Sequence, residues 1–233
     1  MTEWRTEADA DAVADAACRL IGVAARNAIA GHRRFRLVLA GGGTPLATYR
    51  RLAASDQQWK RWVLYYGDER CLPVDDPQRN SQMVVDSGLA GRVGKHYPIP
   101  AELGAKPAAA SYRELVRDAL PFDMVLLGIG EDGHTASLFP GHDWPDKTAF
   151  AVKNAPKPPP NRVTLGVKTL QNCRSMLVLV TGASKAEAVK RWRSGANLPI
   201  ALVSDVAHAL VLVERNCLAF AGGQLATTAE PIE

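Results

Sequence analysis

Asp132 and His134 stand two residues apart, directly after the apolar stretch Asp123–Gly128. A carboxylate at that spacing can orient an imidazole and favour its charged form as a proton is taken up, which is what a general base requires. Other stretches carry groups suited to anions. Gly41-Gly42-Gly43-Thr44-Pro45 follows an apolar run and opens a helical pattern. Three glycines leave backbone N–H groups unobstructed there, and a helix N-terminus with free N–H groups attracts an anion. Pro45 suits the first helical position and Thr44 a hydroxyl cap. Asp68-Glu69-Arg70 ends another apolar run, and the planar fork of Arg70 fits a phosphate or a carbonyl oxygen about to become charged. Lys157 and Arg162 flank the proline run 156–160, and Lys185 follows Thr181-Gly182-Ala183-Ser184 at the start of a helical pattern, where its charge can face an anion held at that helix end. The chemistry these residues spell is acid–base catalysis by His134 on a small phosphorylated anion.

One formal match is misleading. Gly128-Ile129-Gly130-Glu131-Asp132-Gly133 fits the dinucleotide pattern GxGxxG. Glu131 and Asp132 would put two carboxylates where a pyrophosphate must lie, and Pro140-Gly141 leaves almost no helix behind the turn. The sequence has no GxSxG, GxxxxGK[ST] or HExxH, which argues against serine esterases of the α/β-hydrolase type, P-loop NTPases and zincins.

The elements that must position these groups alternate along the chain. Residues 7–30 place Val13, Ala17, Leu20, Ile21, Ala24 and Ala28 at helical spacing,. Apolar runs at 35–40, 62–66, 123–128, 162–167, 176–180, 198–203 and 209–213 read as strands. Helical patterns cover 46–54, 107–119 and the region near 185–193, and 67–80 reads as a polar loop. Strands apolar throughout and spaced by helices predict an α/β fold, a mostly parallel sheet covered on both faces. In such a sheet ligands sit beyond the carboxyl ends of the strands, which is where the candidate groups fall. The run Pro156–Pro160 reads as a stiff loop inside a single domain spanning 1–233.

Composition bounds the rest. The 233 residues carry a net charge of +4 and are 47% hydrophobic, an ordinary profile for a soluble domain. Roughly three quarters of the unfolded surface can be buried at this length, so no staple is needed. So weak a charge gives no reason to expect a nucleic-acid partner. Cys18, Cys71, Cys173 and Cys217 are widely separated, so reduced thiols in a cytoplasmic protein are expected. The first seven residues hold no apolar stretch for a signal peptide, and no apolar window is long enough to span a membrane,.

The ordered motifs LAGGGTPLATYRRLA (39–53), YYGDERCLPVDDPQRNSQM (65–83), DMVLLGIGEDGHTASLFPGH (123–142), APKPPPNRVTL (155–165) and LVTGASKA (179–186) closely resemble the 6-phosphogluconolactonase family. The resemblance runs from about residue 10 to residue 220. It implies hydrolysis of 6-phospho-D-glucono-1,5-lactone in the oxidative pentose phosphate pathway, on a three-layer α/β/α sandwich with a modified Rossmann-like topology. His134 matches the family's general base, with Asp132 orienting it. Gly42, Gly43 and Thr44 match the phosphate loop, and Lys185 the basic residue of its GxxKA segment. Arg70 and Arg162 match positions that contact the phosphate or the carbonyl, their tasks undivided by sequence. Asp68 and Asn80 fall among the substrate-binding positions, although many members read Ser-Asn where Asn80-Ser81 stands. No cofactor, metal or obligate protein partner is implied, because a δ-lactone is an activated ester that needs neither a metal nor a covalent nucleophile.

There are two rival readings, one a related enzyme and one from another class. The related hexosamine-phosphate deaminases read DGHIAFNEP, with a working Glu five residues after the His; Phe139 stands there in this chain, although Gly166-Val167-Lys168-Thr169-Leu170 leans toward the deaminase GVGTL. A non-catalytic sugar-phosphate sensor would carry a helix-turn-helix module, and the first 34 residues hold one long helical pattern instead,.

Overall fold

The strands form where the sequence is continuously apolar. In the computed structural model, which describes residues 2–218, the chain runs β1 (Glu3–Glu7), α1 (Ala10–His32), β2 (Phe35–Leu39), α2 (Gly43–Ala54), β3 (Trp62–Tyr66), β4 (Asp68–Arg70), α3 (Asn80–Asp86) and β5 (Lys95–His96). It continues through α4 (Ala105–Arg117), β6 (Met124–Gly128), β7 (Ala149–Val152), β8 (Arg162–Leu165), α5 (Val167–Gln171), β9 (Met176–Val180), α6 (Ala186–Arg193), α7 (Pro199–Ser204) and β10 (Ala209–Glu214). The expected span 1–233 and the far end of the family resemblance extend outside the described residues.

Seven strands form one sheet in the order β1-β10-β9-β6-β2-β3-β5, and every pairing in it is parallel. Parallel pairing requires crossover connections, here helical, and buries both faces. All five residues of β3 and of β9 are accordingly buried. From β2 the chain steps outward to β3 and β5; it then returns to the other flank of β2 with β6 and steps outward to β9 and β10. The connections after β2 and β6 thus part company at a topological switch point, the place where such a sheet opens a crevice. This is the α/β fold expected.

Two buried tyrosines finish the strand ends that border the crevice. Tyr49 on α2 accepts from the Ala40 N–H at 2.9 Å and donates to the Ala40 carbonyl at 2.8 Å. Tyr112 on α4 does the same for Tyr66, at 2.7 and 3.2 Å. Each phenol satisfies the last peptide before a glycine loop, where no ladder partner remains. Around them Trp62, Phe35, Phe122 and Leu64 are fully buried.

A second, three-stranded antiparallel sheet, β4-β8-β7, ties the Asp68–Arg70 segment to the proline run, which connects β7 to β8. Arg70 pairs with Arg162 in its register.

Several expectations are corrected. Residues 198–203 are not a strand: Pro199 opens α7, with Ile200 and Val203 facing the core. The proline at the first helical position was the informative signal, because a short apolar run fits buried helix and strand equally. The polar stretch 67–80 contains β4 and leads into α3. The strand expected over 162–167 ends at Leu165, and Val167 already belongs to α5. The largely exposed β1, the two-residue β5 and β7 were not anticipated. Thr44 does not cap α2: Gly42 is the capping residue, with φ 110° and no side-chain bond, and Pro45 sits two positions inside the helix. Cys173 and Cys217 are buried, Cys18 and Cys71 half-buried, and all four are free thiols.

Candidate functional site

A cleft of about 510 Å³ opens over the carboxyl ends of β2, β3, β6 and β9. Gly41 to Thr44, Asp68, Arg70, His134, Lys157, Arg162, Thr181 and Lys185 all line it.

The imidazole is built from very local structure. The chain turns tightly after β6: Gly130 N–H bonds to the His134 carbonyl at 2.8 Å and Gly133 N–H to the Gly130 carbonyl at 2.9 Å. This brings Asp132 Oδ1 within 2.5 Å of His134 Nδ1. A carboxylate only accepts, so Nδ1 carries the proton and Nε2 keeps its lone pair. Gly130 is required by this geometry: a Cβ there would fall 1.9 Å from His134 Nδ1 and 2.6 Å from Asp132 Oδ1. Burial pushes the His134 pKa below the ordinary histidine value, against the pull of the Asp132 hydrogen bond and charge. Burial pushes the Asp132 carboxyl up, but the His134 ring bond and charge, its backbone N–H and Lys157 outweigh that and hold it below the usual carboxylate range.

The three residues Asp68-Glu69-Arg70 point to three tasks. Asp68 lines the cleft, yet its oxygens accept from Ser137 Oγ at 2.6 Å and Asn80 Nδ2 at 3.0 Å, tying β4 to the loop that carries His134. Glu69, fully buried, accepts the N–H groups of Arg70, Asn80 and Ser81 at 2.8, 2.7 and 2.8 Å. It therefore holds the positive end of α3 and lies 3.5 Å from the Arg79 guanidinium. Glu69→Ala orphans those amides and removes one carboxylate from a buried arginine. The expected loss is about 3 kcal/mol of stability, read as a lowered urea midpoint. Arg70 donates Nη1 to the Gln78 carbonyl at 2.6 Å, while its Nε is buried with no partner among the described residues.

Asn80 lies behind the cleft wall, its amide donating to the Asp68 carbonyl at 2.9 Å. A Cβ on Gly41 would sit 2.1 Å from its Oδ1, so the first glycine of the loop is there for Asn80. Arg162 also differs from Arg70. Its Nε and Nη2 donate to the carbonyls of Pro159, Lys157 and Pro158 at 3.0 to 3.1 Å, and its guanidinium stands 5.5 Å from the centre of the Phe139 ring. Arg162 thus folds the proline loop inward and brings Lys157 to the cleft.

The glycine-lined, basic side of the cleft is assembled from two distant loops. The hydroxyls of Thr44 and Thr181 hydrogen-bond to each other, joining the start of α2 to the end of β9. Glu214 accepts the Gly182 N–H at 2.7 Å and steadies the loop that ends in Lys185. Sequence reasoning passed over Thr181, Ser137, Glu69 and Glu214. Only Thr181, next to a strand end, carried a signal that the carboxyl-edge rule could have used. Among the described residues no group of three or more His, Cys, Asp or Glu is arranged to hold a metal ion, and no helix is long and apolar enough to cross a membrane.

A parallel sheet with a basic, glycine-lined crevice at its switch point, and a carboxylate-held imidazole inside it, defines an α/β enzyme acting on a small anion. Residues 8–212 match the family described as glucosamine-6-phosphate isomerases/6-phosphogluconolactonase, and the chain belongs to that family. It is 35% identical over 231 aligned positions to a 6-phosphogluconolactonase of Mycobacterium tuberculosis, covering 89% of this chain and 93% of that one. It is 34% identical to the human 6-phosphogluconolactonase, over 76% of this chain and 75% of that one. The crystal structure of a 6-phosphogluconolactonase from Thermotoga maritima superposes with a TM-score of 0.84 at 26% identity, covering 92% of this chain and all of that one. A monomeric glucosamine-6-phosphate deaminase, at 23% identity and a TM-score of 0.79, shares the fold.

Proposed function

We propose that the protein hydrolyses 6-phospho-D-glucono-1,5-lactone to 6-phospho-D-gluconate, a step of the oxidative pentose phosphate pathway, with His134 as general base. The observation that carries this reading is His134, held by Asp132 at 2.5 Å, lining one cleft with the cradle of Gly42, Gly43, Thr44 and Lys185. The cradle binds the phosphate through the α2 N-terminus and the Lys185 ammonium. Anchoring that remote group holds C1 of the lactone near His134. Nε2 takes a proton from water as its oxygen attacks C1. The carbonyl oxygen becomes an oxyanion beside Arg70, whose donors are placed before charge develops. The C1–O5 bond then breaks, and the ring oxygen takes the proton back from the imidazolium. Asp132 keeps the ring oriented and offsets its transient charge. Arg162 shapes the site through the loop bearing Lys157, a second cation for the substrate's oxygens.

Phe139 weighs against the deaminase reading. It is 1% exposed and packs 4.7 Å from the His134 ring, where a carboxyl would be needed to exchange protons. The direct test uses lactone generated in situ, with the uncatalysed rate subtracted. A large excess rate is expected, and folded protein with no excess overturns the proposal.

The pH profile adds a prediction. The neutral ring is the active form, so kcat/KM falls as pH drops through the His134 pKa. Because burial lowers that pKa, the acid limb lies below the ordinary histidine value of about 6.5. Asp132→Asn removes the carboxylate charge that helps raise it, so the limb moves to still lower pH while kcat falls. A limb moving upward would contradict the assigned roles.

A further inference from the structure

Glu131 has no part in the mechanism above, yet its carboxylate reaches a cation that lines the cleft. It precedes Asp132 on the loop after β6, and its Oε1 lies 3.6 Å from the Nζ of Lys185, which follows β9. The carboxylate is half exposed, whereas Lys185 is 24% exposed and faces the cleft. Ser184, Lys185 and Lys157 hold the Glu131 carboxyl below the usual range, so it is an anion at neutral pH. A phosphate ester entering the cradle must take Lys185 from Glu131 and then sit beside that carboxylate. Hydrolysis adds a further negative charge, because the neutral lactone carbonyl becomes a carboxylate. A fixed anion at the rim therefore weakens the product more than the substrate. Binding both equally tightly would add nothing to kcat and would slow release.

We propose that Glu131 is a charge latch, a specificity-determining residue that occupies Lys185 in the empty cleft, weakens phosphate-ester binding and disfavours the acid product relative to the lactone. The identity of the two ligands rests on the lactonase reading; the latch on Lys185 does not. The test titrates wild type and Glu131→Gln calorimetrically with inorganic phosphate and with 6-phosphogluconate, at low and high salt, and measures KM for the lactone. Phosphate affinity and KM should tighten about twofold to fivefold, the worth of an exposed ion pair, and 6-phosphogluconate about twice as much. The gain should fade at about 0.5 M salt, where the Debye length shrinks to a few ångströms. In a Lys185→Gln background the gain for phosphate should at least halve. No tightening, or equal tightening of product and lactone, with wild-type lactone hydrolysis intact, overturns the latch and leaves the lactonase reading standing. Tightened phosphate binding in a protein whose wild type fails to hydrolyse the lactone does the reverse.

Discussion

His134→Ala should lower kcat by about 10²–10⁴-fold, the usual contribution of a positioned general base, while affinity for 6-phosphogluconate stays within a few-fold of wild type. The two effects separate because the ring and the cradle are built independently. The loop bearing His134 is closed by its own backbone bonds, Gly130 N–H to the His134 carbonyl and Gly133 N–H to the Gly130 carbonyl, and neither involves the imidazole. The proposed phosphate contacts, Gly42 to Thr44 and Lys185, sit instead at the start of α2 and after β9. The variant loses its ring contact with Phe139, a packing loss of about 1 kcal/mol, so a melting curve should show a folded protein. Residual turnover above background is expected if, as proposed, Arg70 stabilises the oxyanion and the helix end orients the lactone. Steady-state rates with calorimetric titration of the product give both quantities. A variant retaining near-full kcat would remove His134 from its role.

Gly130→Ala should be nearly as damaging, although the residue it changes has no functional group. The new methyl would lie 1.9 Å from His134 Nδ1 and 2.6 Å from Asp132 Oδ1, so one or both side chains must move. Misplacing a catalytic group by about 1 Å costs on the order of 10² in rate, and overpacking costs about 1–3 kcal/mol of stability. Because displacement parts the ring from Asp132, the pH profile should change as well as kcat. Gly31→Ala, where a Cβ meets nothing within 4 Å, is the matched control and should leave turnover at the wild-type level. If Gly130→Ala turns over like Gly31→Ala, the observed dyad geometry is not the working one.

What the sequence disclosed follows how local each feature is. The runs at β2, β3, β6 and β9 are apolar on every residue or nearly so, a pattern that survives without knowledge of neighbours. The edge strand β1 (EWRTE) is charged and largely exposed, and becomes a strand only because β10 lies beside it. Asp132 and His134 were legible because they stand only two positions apart. The division between Arg70 and Arg162 was not, since it depends on where the proline loop carbonyls turn. Equally, nothing in Asp68-Glu69-Arg70 tells which carboxylate faces the cleft and which caps a helix formed ten residues later. Asn80 reads as a polar residue near the site; only the fold reveals that its amide fills the space a glycine leaves open.

The site joins two kinds of contact whose sequence spans differ greatly. The Asp132–His134 pair closes over two residues, whereas the Thr44–Thr181 hydroxyl bond closes over 137. Loop-closure entropy grows with the length enclosed, so the base can be organised early in folding and is cheap to restore after a fluctuation. The cradle exists only when both flanks of the sheet are docked. On the proposed roles, partial loosening by warmth or dilute denaturant therefore reaches the phosphate grip first, and the protein should lose its hold on substrate while the Asp132–His134 pair is still intact.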